Sequence, residues 1–160
     1  MKYILTLTLV ALALPALAQT PGHEGHDHHE HRNEFGLANM AVYLASEGEV
    51  APGWHAHWVR YLGHSDFGVG MGYEIVLDDH RHQNLSVVGS YRITDAWSIT
   101  AAPGISLHEN WQQDVSLGLH LETAYEWDWG PFHIGPMLEL AFGNAEDTHY
   151  SVGLHIGYGF

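Results

Sequence analysis

From Phe35 onward, apolar and polar residues alternate at period two, and the alternation is broken at intervals by Gly, Pro, Asn and Asp. Such a pattern places every second side chain on one face of an extended strand, and the breaks mark turns. It predicts eight strands, near 36–45, 53–62, 67–77, 84–93, 96–107, 114–127, 131–142 and 149–160. In the third, Phe67, Val69, Met71, Tyr73, Ile75 and Leu77 share one face, while Gly68, Gly70, Gly72, Glu74 and Val76 share the other. The last sets Tyr150, Val152, Leu154, Ile156, Tyr158 and Phe160 against Ser151, Gly153, His155, Gly157 and Gly159. No segment after Phe35 follows a helical period.

Eight antiparallel strands are expected to close into an up-and-down barrel, because closure leaves no unpaired edge. The apolar face carries Trp54, Trp58, Trp97, Trp127, Phe67, Phe132, Phe142, Phe160, Tyr73, Tyr91, Tyr125, Tyr150 and Tyr158. An eight-stranded interior is only just wide enough to be filled by side chains, so these aromatics and their aliphatic neighbours do not fit inside. The other face, built of Gly, Ser, Ala and a few Glu and His, suits a narrow polar lumen. The apolar face is therefore expected to meet lipid. Strands of this length suffice, since about 9–11 tilted residues cross the hydrocarbon layer. With the N-terminus on the periplasmic side, Phe67, Tyr91, Trp97, Trp127, Phe132, Tyr158 and Phe160 fall at the periplasmic interface, and Trp54, Phe142 and Tyr150 near the outer one. These are expected to be aromatic girdles.

Upstream of the barrel the texture changes. Met1-Lys2, an apolar stretch from Tyr3 to Leu14 and Pro15-Ala16-Leu17-Ala18 read as a secretory signal cleaved near Ala18, over residues 1–18. The apolar stretch is shorter than the roughly 20 residues a spanning helix needs. Residues 19–35 then read as a polar periplasmic tail, in which His23, His26, His28, His29 and His31 are interleaved with Glu24, Asp27 and Glu30. The barrel itself is expected over 36–160.

Composition narrows the chemistry. The 160 residues include 19 Asp plus Glu against five Lys plus Arg, 15 His and no Cys, for a formal charge of −14. Thiolate sites and disulfides are excluded, and nucleic acid is a poor partner for so acidic a chain. Cations are the natural charged ligands.

A signal sequence, eight amphipathic strands and a terminal Tyr158-Gly159-Phe160 resemble the small Gram-negative outer-membrane β-barrel proteins of eight-stranded type. More narrowly, the chain is similar to a group in which a His-rich leader precedes such a barrel. The resemblance implies residence in the bacterial outer membrane, contact with its lipid, and reading of the C-terminal Phe160 by the barrel-assembly machinery. A monomer is expected.

On the expected polar face lie Glu74, Glu122, Glu126 and Glu139 with His120 and His155, against the single clear inward cation Arg92. Carboxylates crowded in a poorly hydrated space must be protonated, paired with histidinium or neutralised by a bound cation. A hydrogen-bonded structural network and a metal site both satisfy that requirement. Near the outer mouth, His55 and His57 on the second strand and His108 at the outer end of the fifth are expected to join His80 and His82 of the second outer loop and His149 of the fourth, among Asp78, Asp79, Glu109, Glu146 and Asp147. Imidazole with carboxylate suits Zn, Cu or Ni. The tail offers overlapping labile ligand sets of the same kind. No phosphate loop, H-E-x-x-H motif or nucleophile triad is apparent, so an enzyme is not expected. Two readings stay open: a barrel that binds divalent transition metals and assists their handling, and a structural or adhesion-type envelope barrel with no metal role.

Overall fold

The computed structural model describes residues 32–79, 82–107, 115–143 and 148–160. The expected leader, the five tail histidines, His80 and His108 lie outside the described residues. Among the described residues there are nine extended segments: β1 (Asn33–Leu44), β2 (Glu49–Tyr61), β3 (Phe67–Val76), β4 (Gln83–Thr94), β5 (Trp97–Leu107), β6 (Val115–Tyr125), β7 (Trp127–Trp129), β8 (Phe132–Phe142) and β9 (His149–Gly159). Consecutive segments pair antiparallel except β6 and β7, β1 also pairs with β9, and β6 pairs with β8, which closes the sheet. The barrel has eight walls because β6 and β7 are successive parts of one. Their ladder with β8 stops at Ala124↔Met137 and resumes in the same register at Trp127↔Ile134. The gap falls opposite Pro136, which has no N–H to give a ladder bond.

Three expected boundaries move. The first strand starts at Asn33 rather than 36, because Asn33 N–H donates to Phe160 O at 2.9 Å and Phe160 N–H donates to Asn33 O at 2.8 Å. Asn33, Glu34 and Phe35 therefore belong to the barrel, not to the tail. The second strand starts at Glu49 rather than 53 and runs through Pro52. Proline is tolerated there because the β2–β3 register ends at Gly53↔Val76, and Pro52 contributes only its carbonyl, accepting from Leu77 N–H at 2.8 Å. The turn expected at Asp128-Trp129-Gly130 shifts to Gly130-Pro131, as the strand continues to Trp129.

The two faces differ as the alternation requires. All thirteen aromatics assigned to the apolar face are exposed on the outside of the barrel. The interior holds the small and polar residues, together with two apolar clusters that the sequence reading did not stress. One contains Met40, Val42, Leu44, Val76 and Met137, and the other Val59, Tyr61, Val88 and Ala102. Such an inside-out distribution is stable only where the outer surface is shielded from water.

Candidate functional site

Strand parity turns six histidines and five glutamates of the described residues into the lumen, where they stack into a column. At the end bearing the 62–66 turn and both ends of the sheet seam, Glu34 is the anchor. Arg92 Nη2 donates to Glu34 Oε2 at 2.9 Å, Tyr61 O–H donates to the same oxygen at 3.2 Å, and the Arg92 guanidinium lies 3.8 Å above the Tyr61 ring. His133 Nε2 and His57 Nε2 approach Glu34 Oε1 at 3.5 and 3.6 Å.

The middle of the column is a run of imidazoles. His133 and His155 have ring centroids 5.6 Å apart, His155 stacks on His57 at 5.0 Å and 18°, and His57 meets His55 edge-on at 5.3 Å. Glycine makes room for this run. A Cβ on Gly157 would sit 1.7 Å from His133 Nε2, and one on Gly36 would sit 2.3 Å from the Nε2 atoms of both His57 and His155. His155 Nδ1 is in close contact with Glu126 Oε1, and His55 Nδ1 lies 3.2 Å from Glu122 Oε2 and 3.7 Å from Glu139 Oε2.

At the opposite end, Glu74, His120, Glu139 and His149 form a fully buried quartet. His120 Nδ1 lies 3.5 Å from both Glu74 Oε2 and Glu139 Oε2, while His149 Nε2 lies 3.1 Å from Glu74 Oε1 and 3.5 Å from Glu139 Oε1. Ser151 O–H donates to Glu139 Oε1 at 3.3 Å. A cavity of about 20 Å³ beside the quartet is lined by Glu74, His120 and His149, with His82, Gln83, Asn84 and Ser106. That is room for about one water-sized occupant. His82 Nδ1 in turn faces Asp78 Oδ2 at 2.5 Å.

The expected mouth is thus reorganised. His55 and His57 sit in the middle of β2, not at its outer end, because that strand begins four residues earlier than its turn signals suggested. His149 points inward as the first residue of β9 and joins the quartet rather than a loop set. Of the mouth histidines, His82 alone among the described residues stays in a connection. Of the expected lumen residues, Glu74, His120, Glu122, Glu139 and His155 are buried, while Glu126 and Arg92 are partly buried. Glu34, Tyr61 and His133 were not singled out from the sequence. Extending the alternation of β1 by one more inward position, from Gly36 to Glu34, was the available signal.

Outside, Phe67 pairs with Tyr91, Trp97 with Tyr125, and Phe132 with Tyr158. With Trp127 and Phe160 they gird the end that carries the short turns, and all are exposed. The Trp97 indole N–H is satisfied locally, donating to Thr123 Oγ1 at 2.7 Å. An aromatic ring at one level around an apolar wall is the geometry of a membrane interface. The solved structures carry the same architecture. The chain is similar to the N-terminal β-barrel domain of Pseudomonas aeruginosa OprF, with a TM-score of 0.58 and 14% identity over 82% of this chain and 100% of that one. The fold is that of a small outer-membrane β-barrel. Neisserial surface protein A is similar at a TM-score of 0.54 and 9% identity, covering 80% of this chain and 96% of that one. Ail, the attachment invasion locus protein of Yersinia pestis, is similar at 0.53 and 15%, again covering 80% and 96%. No protein-family model matches the chain, and no curated protein matches it. At these identities the likeness to outer-membrane barrels is one of fold.

Proposed function

We propose that this chain is a non-enzymatic barrel of the bacterial outer membrane that binds divalent transition metals, Zn²⁺, Cu²⁺ or Ni²⁺, through histidine and carboxylate. The observation that supports the reading is the assembly of lumen imidazoles and glutamates into four groups of three or four, each with ligand atoms within 4.8 Å of one another. Neutral imidazole is a ligand for all three metals, and carboxylate supplies the compensating charge. In this reading His23, His26, His28, His29 and His31 form a labile store on the periplasmic side, and His80, His82 and His108 meet metal on the other. Phe160 closes the last strand as a substrate of barrel assembly.

Calorimetric titration of the refolded chain with each metal tests the proposal. Binding at micromolar concentrations of at least one of the three is expected. Absence of binding by all three would leave the envelope-structure or adhesion reading, to which the fold likeness to Ail lends support.

A further inference from the structure

We propose that Glu74, His120, Glu139 and His149 form one discrete, tetrahedral zinc-type site that ties together opposite walls of the barrel. The proposal rests on the metal-binding reading above and names the site responsible for its tightest binding.

The four residues come from β3, β6, β8 and β9. In the circular order of walls, β3 and β8 lie four places apart in either direction, so Glu74 and Glu139 reach toward each other across the lumen. The four imidazole-to-carboxylate separations are 3.1, 3.5, 3.5 and 3.5 Å. Metal bonds of about 2.0–2.1 Å arranged tetrahedrally require ligand atoms about 3.3 Å apart. The observed separations run through both oxygens of each glutamate; with one ligand atom taken from each residue, the four lie within 4.8 Å of one another, and a single tetrahedron requires the side chains to draw together by up to about 1.5 Å.

Two further observations point to a ligand. Glu74 Oε2 and Glu139 Oε2 are buried and accept no hydrogen bond, although Glu139 is only 1% exposed. Buried acceptors in a native core are ordinarily satisfied, and these two have only the imidazoles of His120 at 3.5 Å and, for Glu139, His55 at 3.7 Å, beyond hydrogen-bond length, so each has room to bind a cation. The cavity of about 20 Å³ lies against three of the four residues, and His82, paired with Asp78, lines its far side next to the β3–β4 connection. Charge closes as well. Two carboxylates and two neutral imidazoles around a divalent ion sum to zero, which removes the penalty of an uncompensated buried charge.

The quartet also stands apart from the other three groups. Glu34–His57–His155, His55–His57–Glu122 and Glu126–His133–His155 have three ligands each, and they share His57 or His155, so they cannot all be filled together. The quartet shares no residue with any of them.

The test uses the full chain carrying His23→Ala, His26→Ala, His28→Ala, His29→Ala and His31→Ala, refolded in detergent and titrated with Co²⁺, followed by Zn²⁺. One equivalent of Co²⁺ with the visible absorption of a tetrahedral site is expected, displaced by one equivalent of Zn²⁺. Adding Glu74→Gln, which preserves shape, or His149→Ala should weaken binding by more than the about 10–100-fold that loss of an outer-shell partner costs. Adding His133→Ala, in a different group, should leave it unchanged. Zn²⁺ should raise the unfolding temperature of the tail-substituted chain but not that of its Glu74→Gln derivative. If the unmodified chain binds metal and the tail-substituted chain does not, this site is wrong while the metal-binding reading survives. If the unmodified chain binds nothing, both fall. One equivalent that is insensitive to Glu74→Gln and His149→Ala would also overturn the site.

Discussion

Replacing Leu119 by arginine distinguishes a wall that faces lipid from one that faces water. Leu119 is 38% exposed and lies between Pro103 of β5 and Phe142 of β8. The wall that carries it runs through β6 and β7, from Val115 to Trp129, and is centred on Glu122. With a rise of about 3.4 Å per residue and a tilt of about 40°, each residue adds about 2.6 Å along the membrane normal. Leu119 is three residues from the centre, about 8 Å from the midplane and inside an apolar band about 25 Å tall, whereas Val115 is about 18 Å away and outside it. Leu119→Arg should therefore cost about 1–3 kcal/mol and Val115→Arg about 0–1 kcal/mol. On a water-facing wall neither change of an exposed side chain would exceed about 0.5 kcal/mol. Urea unfolding of the two variants in lipid vesicles, followed by tryptophan fluorescence, measures both. A cost below about 0.5 kcal/mol at Leu119, or equal costs at the two positions, would refute the assignment of this face to lipid.

Inside the lumen, Gly157→Ala should destabilise by about 1–3 kcal/mol, because the new methyl group would occupy the place of His133 Nε2 and force the imidazole run to shift; a neutral result in the same unfolding assay would mean that the run is loosely held. Glu34→Gln should cost about 1–3 kcal/mol by taking the carboxylate from Arg92 and Tyr61. Restoring part of that loss with Arg92→Leu on the Glu34→Gln background would show that the stranded guanidinium is the cause, and additive losses would show that it is not. For the tail, metal binding that disappears when the five histidines are replaced should weaken steeply from about pH 7 to pH 5, since imidazoles titrating near about 6.5 must be neutral to coordinate. Binding by the tail that is flat across that interval, measured by calorimetry, would exclude imidazole as its ligand.

The walls of the barrel were readable because period two is a local property. Once Trp54 and Trp58 are set outside, His55 and His57 must point inside, and the same parity places Glu74, His120 and His155. Strand ends were less readable. Pro52-Gly53 looks like a turn, and only the register with β3 reveals that Pro52 lies past the end of that ladder, where its missing N–H does no harm. Asn33 and Glu34 look like tail because they are polar, yet Asn33 is held by two backbone bonds to Phe160, far away in sequence.

The grouping of the site was not readable at all. Glu122 and Glu139 are direct neighbours across the β6–β8 ladder, and both reach His55 on β2 from across the lumen. Parity gives the face of each residue but not its height on the axis, nor which side chain meets it from the far wall. Those depend on register and on closure. From the sequence these residues were therefore named but dispersed: His55, His57 and His149 were placed at a mouth, while Glu74, His120 and Glu139 were placed in a separate lumen network.

Diffraction at the zinc absorption edge, on crystals of the refolded chain grown with Zn²⁺, tests the central functional claim most directly. The account predicts a strong anomalous peak inside the lumen, about 2.0–2.2 Å from nitrogen atoms of His120 and His149 and from one oxygen each of Glu74 and Glu139. Well-ordered crystals with Glu74, His120, Glu139 and His149 clearly resolved, and no anomalous density anywhere in the column, would contradict it.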